Sequence, residues 1–130
     1  MDPKRFRELV DEAVDSLPPE FAARLDNVDV VAARRPSSRT LREMGIRPPG
    51  TLLGLYRGVP QTHRDHGYSA VAPDRIDIYR EPILAVVQEE IAPGDDFDEA
   101  VREQVRRTVL HEIGHHFGLE EDDLRRLDYQ

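Results

Sequence analysis

The sequence predicts a single domain that contains both helices and strands, and three observations support this prediction. The chain has 130 residues, a length that suits one domain with a modest core. Apolar residues recur at helical spacing in several segments, which predicts amphipathic helices. Between these segments lie short stretches that are rich in β-branched residues or that alternate apolar and polar positions, as strands do. We therefore expect residues 1–130 to form one mixed domain.

The N-terminal part of the chain predicts two helices that are separated by prolines. Residues 3–17 repeat apolar side chains at helical spacing, with Asp2 as a possible cap and Pro3 suited to the first turn. The proline pair at 18–19 stops this helix and also suits the start of a second, short helix that reaches Leu25. The apolar face of the first helix consists of Phe6, Leu9, Val10, Ala13, Val14 and Leu17.

Three short segments predict the strands, and they are residues 28–33, 51–58 and 75–79. Gly54 lies inside the second segment, which suggests a bulge or the close approach of another backbone. The first two strands are joined by a polar loop over 34–50, which contains several prolines and glycines and has room for one helical turn near 40–44. The third strand follows a second polar loop.

The C-terminal half of the chain predicts a helix over 81–91 and then a longer one. Asp95 or Asp96 caps the longer helix, and Gly118 is well placed to end it in a left-handed conformation. The apolar residues of this helix do not form one straight stripe, so we expect only its second half to pass through the core. A short final helix is expected within 119–130.

Composition limits the classes of function. The net charge of -8 and the pI of about 5.1 argue against non-specific binding to nucleic acid or to an anionic membrane. The chain has no cysteine, so a metal site would have to use histidine and carboxylate ligands. The first residues contain no apolar run like that of a signal peptide, and no stretch of 18 apolar residues occurs, so we expect a cytoplasmic protein.

The most informative segment of the chain is the H-E-x-x-H-x-x-G motif that begins at His111 and ends at Gly118. Residues four apart on a helix differ by only ~40° around its axis, so His111 and His115 lie on one face. Two imidazoles at this spacing can bind one metal ion, usually Zn²⁺. Glu112 is turned ~100° from His111, where its carboxylate can take a proton from a water molecule beside the metal.

A third protein ligand is expected because catalytic zinc sites usually have three. Gly118 can reverse the chain so that the acids at 120–123 return towards the metal. The motif register favours Glu121, ten residues after the first histidine, and Asp122 is the alternative. These acids could instead only stabilise the N-terminus of the final helix.

The remaining histidines and two tyrosines are expected to have other roles. His116 lies off the ligand face and is expected to be a supporting or core-edge residue. His63 and His66 are expected on the surface, although their loop could supply a ligand or a substrate contact. Tyr56 and Tyr79 lie at strand ends and are expected to be packing residues.

Three segments of the chain resemble the small bacterial metallopeptidase-like proteins called minimal zincins, and these segments are residues 52–58, 76–80 and 108–118. The resemblance covers about residues 25 to 124. It implies a compact α+β fold in which an active-site helix lies under a small mixed sheet. It also implies an edge strand that borders the cleft and pairs with substrate backbone. The usual member has an aspartate where this chain has Glu121, and no methionine follows the motif.

The leading hypothesis is therefore a zinc-dependent peptidase that acts on a peptide or protein substrate. His111, His115 and Glu121 would hold the Zn²⁺, and Glu112 would act as general base and then pass the proton to the leaving amine. The alternative is a non-catalytic metal-binding or protein-interaction domain on the same scaffold. This alternative is motivated by the short chain, which leaves little room for a substrate-binding subdomain.

Overall fold

The computed structural model describes residues 1–58 and 73–116, and this part of the chain folds into helices around a small sheet. The elements in chain order are α1 (Pro3–Asp15), α2 (Pro19–Arg24), β1 (Val28–Ala33), α3 (Ser38–Glu43), β2 (Gly54–Arg57), β3 (Asp74–Tyr79), α4 (Arg80–Glu90) and α5 (Phe97–His116). This arrangement confirms the expected α+β class. No helix in the described part is long and apolar enough to cross a membrane.

The three strands form a mixed sheet with the order β1-β3-β2. β1 runs parallel to β3, with Val30 opposite Ile76, whereas β2 runs antiparallel to β3, with Tyr56 opposite the same residue. β3 is therefore the central strand, and within the described residues β2 is an edge strand. The strand predicted over 51–58 is shorter in the structure, since residues 51–53 and residue 58 do not belong to it.

The first helix, α1, begins as predicted but ends earlier. The Asp2 carboxylate accepts a hydrogen bond of 2.8 Å from the backbone N–H of Arg5, which caps the helix. The helix ends at Asp15, before the predicted residue 17, because a residue that precedes a proline disfavours the helical conformation and Pro18 follows Leu17. The apolar face of α1 packs against α5.

The long helix α5 is buried along most of its length, so the expectation that only its second half enters the core is wrong. Val101 and Val105 in the first half have no exposed surface, and neither have Val109 and Ile113 in the second half. The reason is that α1 covers the first half while the sheet and α4 cover other parts of the helix. Arg102, which interrupts the apolar stripe, reaches Glu12 of α1 at 2.9 Å.

The face of the sheet that carries Asp77 holds a buried polar cluster. The Asp77 side chain is 8% exposed and forms ion pairs with Arg57 at 2.8 Å and with Arg75 at 2.9 Å. A second nitrogen of Arg57 donates to the hydroxyl of Thr40 in α3 at 2.9 Å. This cluster therefore ties α3 to β2 and β3, and leaves the other face of the sheet to pack on α5 through Ile76 and its apolar neighbours.

Candidate active site

The last two turns of α5 bring His111 and His115 to one side of the helix, as their spacing predicts. Their ring centroids are 6.1 Å apart and the rings are tilted by 59°. Two imidazoles that share one Zn²⁺ at ~2.0 Å have centroids roughly 5 to 6 Å apart, which is close to the observed separation. His111 is half-buried and His115 is exposed. The pair thus fits a zinc ion that remains accessible to solvent.

The residues predicted to supply a third ligand lie outside the described part of the chain. Glu121, Asp122 and Gly118 all lie beyond residue 116, and His63 and His66 lie in the gap between residues 58 and 73. Across 1–58 and 73–116, no group of three histidine or acidic side chains is close enough together to hold a metal. The choice of Glu121 as third ligand therefore stays a prediction.

Glu112 lies against the outer edge of strand β2. The backbone N–H of Tyr79 donates to the carbonyl oxygen of Leu53 at 2.9 Å, so Leu53 faces β3. In an antiparallel pair, successive residues face the partner strand and then face away from it. Tyr56, three residues after Leu53, therefore points its N–H away from β3. That outward N–H donates to the Glu112 carboxylate at 3.1 Å. The edge strand therefore fixes the position of the acid next to the two histidines.

The protonation of Glu112 is also changed by its surroundings. Burial raises the pKa of the Glu112 carboxyl above its ordinary value, and the hydrogen bond from Tyr56 and the nearby His115 and His111 oppose this effect without cancelling it. A carboxylate with a raised pKa is a stronger base than an ordinary one. This property suits a general base.

Tyr56 contributes more to this site than the sequence analysis expected. Its ring stacks on the ring of His116, with centroids 3.9 Å apart and an interplanar angle of 12°. Its hydroxyl donates to Asp74 at 2.9 Å. Tyr56 thus joins the end of α5 to the sheet through its ring and its backbone. The only signal in the sequence was its place in the predicted edge strand, which does not reveal the stacking partner.

Gly54 lies at a close approach between β2 and α5. A Cβ atom added to Gly54 would lie 2.8 Å from the Cγ2 methyl of Thr108 and 3.0 Å from the carbonyl oxygen of Asp77. A side chain at this position therefore does not fit unless the helix, the strand or the Thr108 side chain shifts. The sequence analysis expected a bulge or a close neighbour here, and the structure shows a close neighbour.

A groove of about 370 Å³ opens beside this contact, and His111 and Glu112 are among the residues that line it. One wall is formed by the segment 51–54 and the other by one face of α5. The residues of α5 that line it are Gln104, Thr108, His111 and Glu112. The candidate acid and one candidate ligand therefore open onto a space that can receive a side chain or a short peptide.

Comparison with known proteins agrees with this geometry. The model of a family described as zincin-like metallopeptidase matches residues 25–130, which includes α5, all three strands and the motif. A search of curated proteins finds no match to the chain.

Proposed function

Because the chain belongs to the zincin-like metallopeptidase family, we propose that it is a zinc-dependent peptidase with Glu112 as its general base. The observation that carries this proposal is the position of the Glu112 carboxylate, which is bound to the outward N–H of Tyr56 at 3.1 Å. This position lies beside the two histidines of the motif and at the edge of the sheet. In this proposal residues 1–130 act as a single domain.

The ligand set in this proposal is His111, His115 and Glu121. The histidine pair supports it through its 6.1 Å ring separation, and Glu121 rests on the motif register, with Asp122 as the alternative. When bound, Zn²⁺ would make a water molecule more acidic and would polarise the carbonyl of the scissile bond.

The proton transfers are assigned to Glu112 alone. Its carboxylate would take a proton from the attacking water and give it to the amine nitrogen that leaves. The hydrogen bond from Tyr56 supports this role because it holds one carboxylate oxygen and so orients the group.

The substrate class in this proposal is an extended peptide. The C=O groups of Gly54 and Tyr56 and the N–H of Gly54 face away from β3, so a peptide can pair with this edge beside the Tyr56 N–H that Glu112 holds. Such pairing recognises backbone and not sequence, which suits a peptidase with many possible substrates. It would also bring the peptide carbonyl next to Glu112.

The test is the Glu112→Gln variant, with Glu89→Gln at an exposed position of α4 as the matched control. We expect Glu112→Gln to lose at least about 100-fold of the chelator-sensitive cleavage of a mixed peptide library, since that is the usual contribution of a general base. Zinc content per chain should equal that of the wild-type protein. Unchanged cleavage in Glu112→Gln would refute the mechanism. Bound zinc without chelator-sensitive cleavage in the wild-type protein would instead support the non-catalytic metal-binding domain.

A further inference from the structure

We infer that Tyr56 and His116 form an aromatic clamp that positions His115 for the metal. The clamp is the stack of these two rings, whose centroids are 3.9 Å apart with an interplanar angle of 12°. Both residues act through His115 and neither binds the ion, so they are positioning residues. The inference deepens the proposed function and rests on its assignment of His111 and His115 as zinc ligands.

The turn of α5 that carries His115 is weakly supported by its own sequence. Ile113 is fully buried and anchors the helix just before this turn. Gly114 follows, and a glycine inside a helix weakens it relative to alanine. His115 and His116 are both exposed, and a helix end that buries little surface opens more readily than the rest of the helix. The position of His115 therefore depends on a contact that holds this turn.

Tyr56 holds the end of α5 at two points on one face of the helix. Glu112 and His116 are four residues apart, so they differ by only ~40° around the helix axis. The backbone N–H of Tyr56 donates to the Glu112 carboxylate at 3.1 Å, and the Tyr56 ring stacks on His116. Because this face is held against β2, the neighbouring face with His111 and His115 keeps a fixed direction.

The ring of Tyr56 is itself held by the sheet. Tyr56 lies opposite Ile76 of β3, which is fully buried. The Tyr56 hydroxyl donates to the carboxylate of Asp74, the first residue of β3, at 2.9 Å. The ring is thus fixed by its backbone at one end and by its hydroxyl at the other. A ligand group that is held in place before binding loses less conformational freedom on binding, which strengthens the affinity.

The first experiment measures the Kd for Zn²⁺ of four full-chain variants, by competition with a zinc-binding dye. Tyr56→Leu and His116→Ala remove a ring of the clamp, whereas Tyr56→Phe and His116→Phe keep a ring at the same position. We expect each ring-removing variant to bind Zn²⁺ about three- to tenfold more weakly than the wild-type protein, the size of effect that an aromatic pair supports. Each ring-keeping variant should bind Zn²⁺ at least about threefold more tightly than its ring-removing counterpart.

The two variants at position 116 distinguish a clamp from a metal ligand. Phenylalanine keeps a flat ring but has no nitrogen that could bind a metal. Equally weak binding in His116→Phe and His116→Ala would overturn the inference, because a ring nitrogen and not the stack would then be required. Wild-type affinity in His116→Ala or in Tyr56→Leu would also overturn it.

The second experiment uses metal-free protein and separates the clamp from a general effect on stability. Backbone amides in the last turn of α5 should exchange hydrogen about three- to tenfold faster in the ring-removing variants, because this turn then opens more often. The matched control, Val10→Ala, truncates a buried side chain of α1 and keeps both rings. It should change neither this exchange nor the Kd for Zn²⁺. Equal changes in Val10→Ala and Tyr56→Leu would contradict a positioning role.

The two experiments separate failure of the clamp from failure of the proposed function. Zinc-dependent cleavage by the wild-type protein, with unchanged exchange and zinc affinity in the ring-removing variants, would overturn the clamp and leave the peptidase in place. Faster exchange and weaker zinc binding in those variants, in a protein that cleaves no peptide, would support the clamp and count against the peptidase. A wild-type protein that binds no zinc would overturn both.

Discussion

Replacing Gly54 with alanine tests whether the close contact between β2 and α5 determines the geometry of the site. The new Cβ would lie 2.8 Å from the Thr108 methyl and 3.0 Å from the Asp77 carbonyl oxygen. Carbon atoms in contact are normally about 3.5 to 4.0 Å apart, so the overlap with the methyl is about 0.7 Å or more. Relief requires a strained Thr108 rotamer or a movement of the helix away from the strand, which would also lengthen the contact between Tyr56 and Glu112.

The expected loss is about 1–3 kcal/mol in the free energy of unfolding, the usual cost of overpacking. In a domain of this size each kcal/mol lowers the Tm by about 4 °C. Urea denaturation followed by circular dichroism measures the free energy directly. The matched control is Gly58→Ala, where the nearest neighbour of the added Cβ is a carboxylate oxygen of Asp74 at 3.9 Å. This control should be neutral or stabilised by up to about 1 kcal/mol.

A second substitution, at Thr108, tests whether its methyl group causes the loss of stability in Gly54→Ala. Thr108→Ser removes the clashing methyl and keeps the hydroxyl that binds the backbone oxygen of Gln104. Combined with Gly54→Ala it should recover part of the lost stability, because the contact with the Asp77 carbonyl oxygen remains. A double-mutant cycle should give a coupling of at least about 1 kcal/mol. A coupling near zero, or an equal effect of alanine at positions 54 and 58, would refute the reasoning.

Two further predictions concern charged groups away from the catalytic end. Arg57→Met leaves the buried Asp77 carboxylate short of a hydrogen bond and should lower the free energy of unfolding by about 1–3 kcal/mol. The control Arg39→Met removes an exposed ion pair within a helix and should lower the free energy of unfolding by less than about 0.5 kcal/mol. Urea denaturation measures both losses, and equal losses in the two variants would contradict the claim that burial makes the Arg57–Asp77 pair more stabilising. The hydrogen bond from Arg106 lowers the pKa of Glu103, so this carboxylate stabilises the fold above about pH 4.5 and loses that contribution as the pH falls through its lower folded-state pKa. In Glu103→Gln the free energy of unfolding should therefore decrease less steeply as the pH falls. The same dependence on pH as in the wild-type protein would contradict this assignment.

The parts of the fold that could be predicted from the sequence depend on local patterns. Helical spacing of apolar residues and the proline positions are sufficient to locate α1 and α5, and the spacing of His111 and His115 is sufficient to put both rings on one face. The burial of the first half of α5 was not predictable in this way. It depends on α1, which packs on the face of α5 where Arg102 interrupts the apolar stripe. The Arg102 side chain reaches across to Glu12 of α1.

The contacts that shape the site depend on the register of the sheet, which no local pattern contains. The antiparallel register of β2 decides that the N–H of Tyr56 points to Glu112 and not to β3. The same register brings Gly54 against Thr108, and with it the groove wall that contains Gln104. These residues are ordinary in the sequence, and only the packing of α5 against the edge strand brings them together.

The measurement that tests the central claim most directly is anomalous scattering from a zinc-loaded crystal of the full chain. Our account predicts one zinc ion bound by the rings of His111 and His115, with the carboxylate of Glu121 as the third protein ligand and that of Glu112 beside the ion but not bound to it. An ion absent from the space between the two rings, or bound through Glu112 itself, would contradict the account.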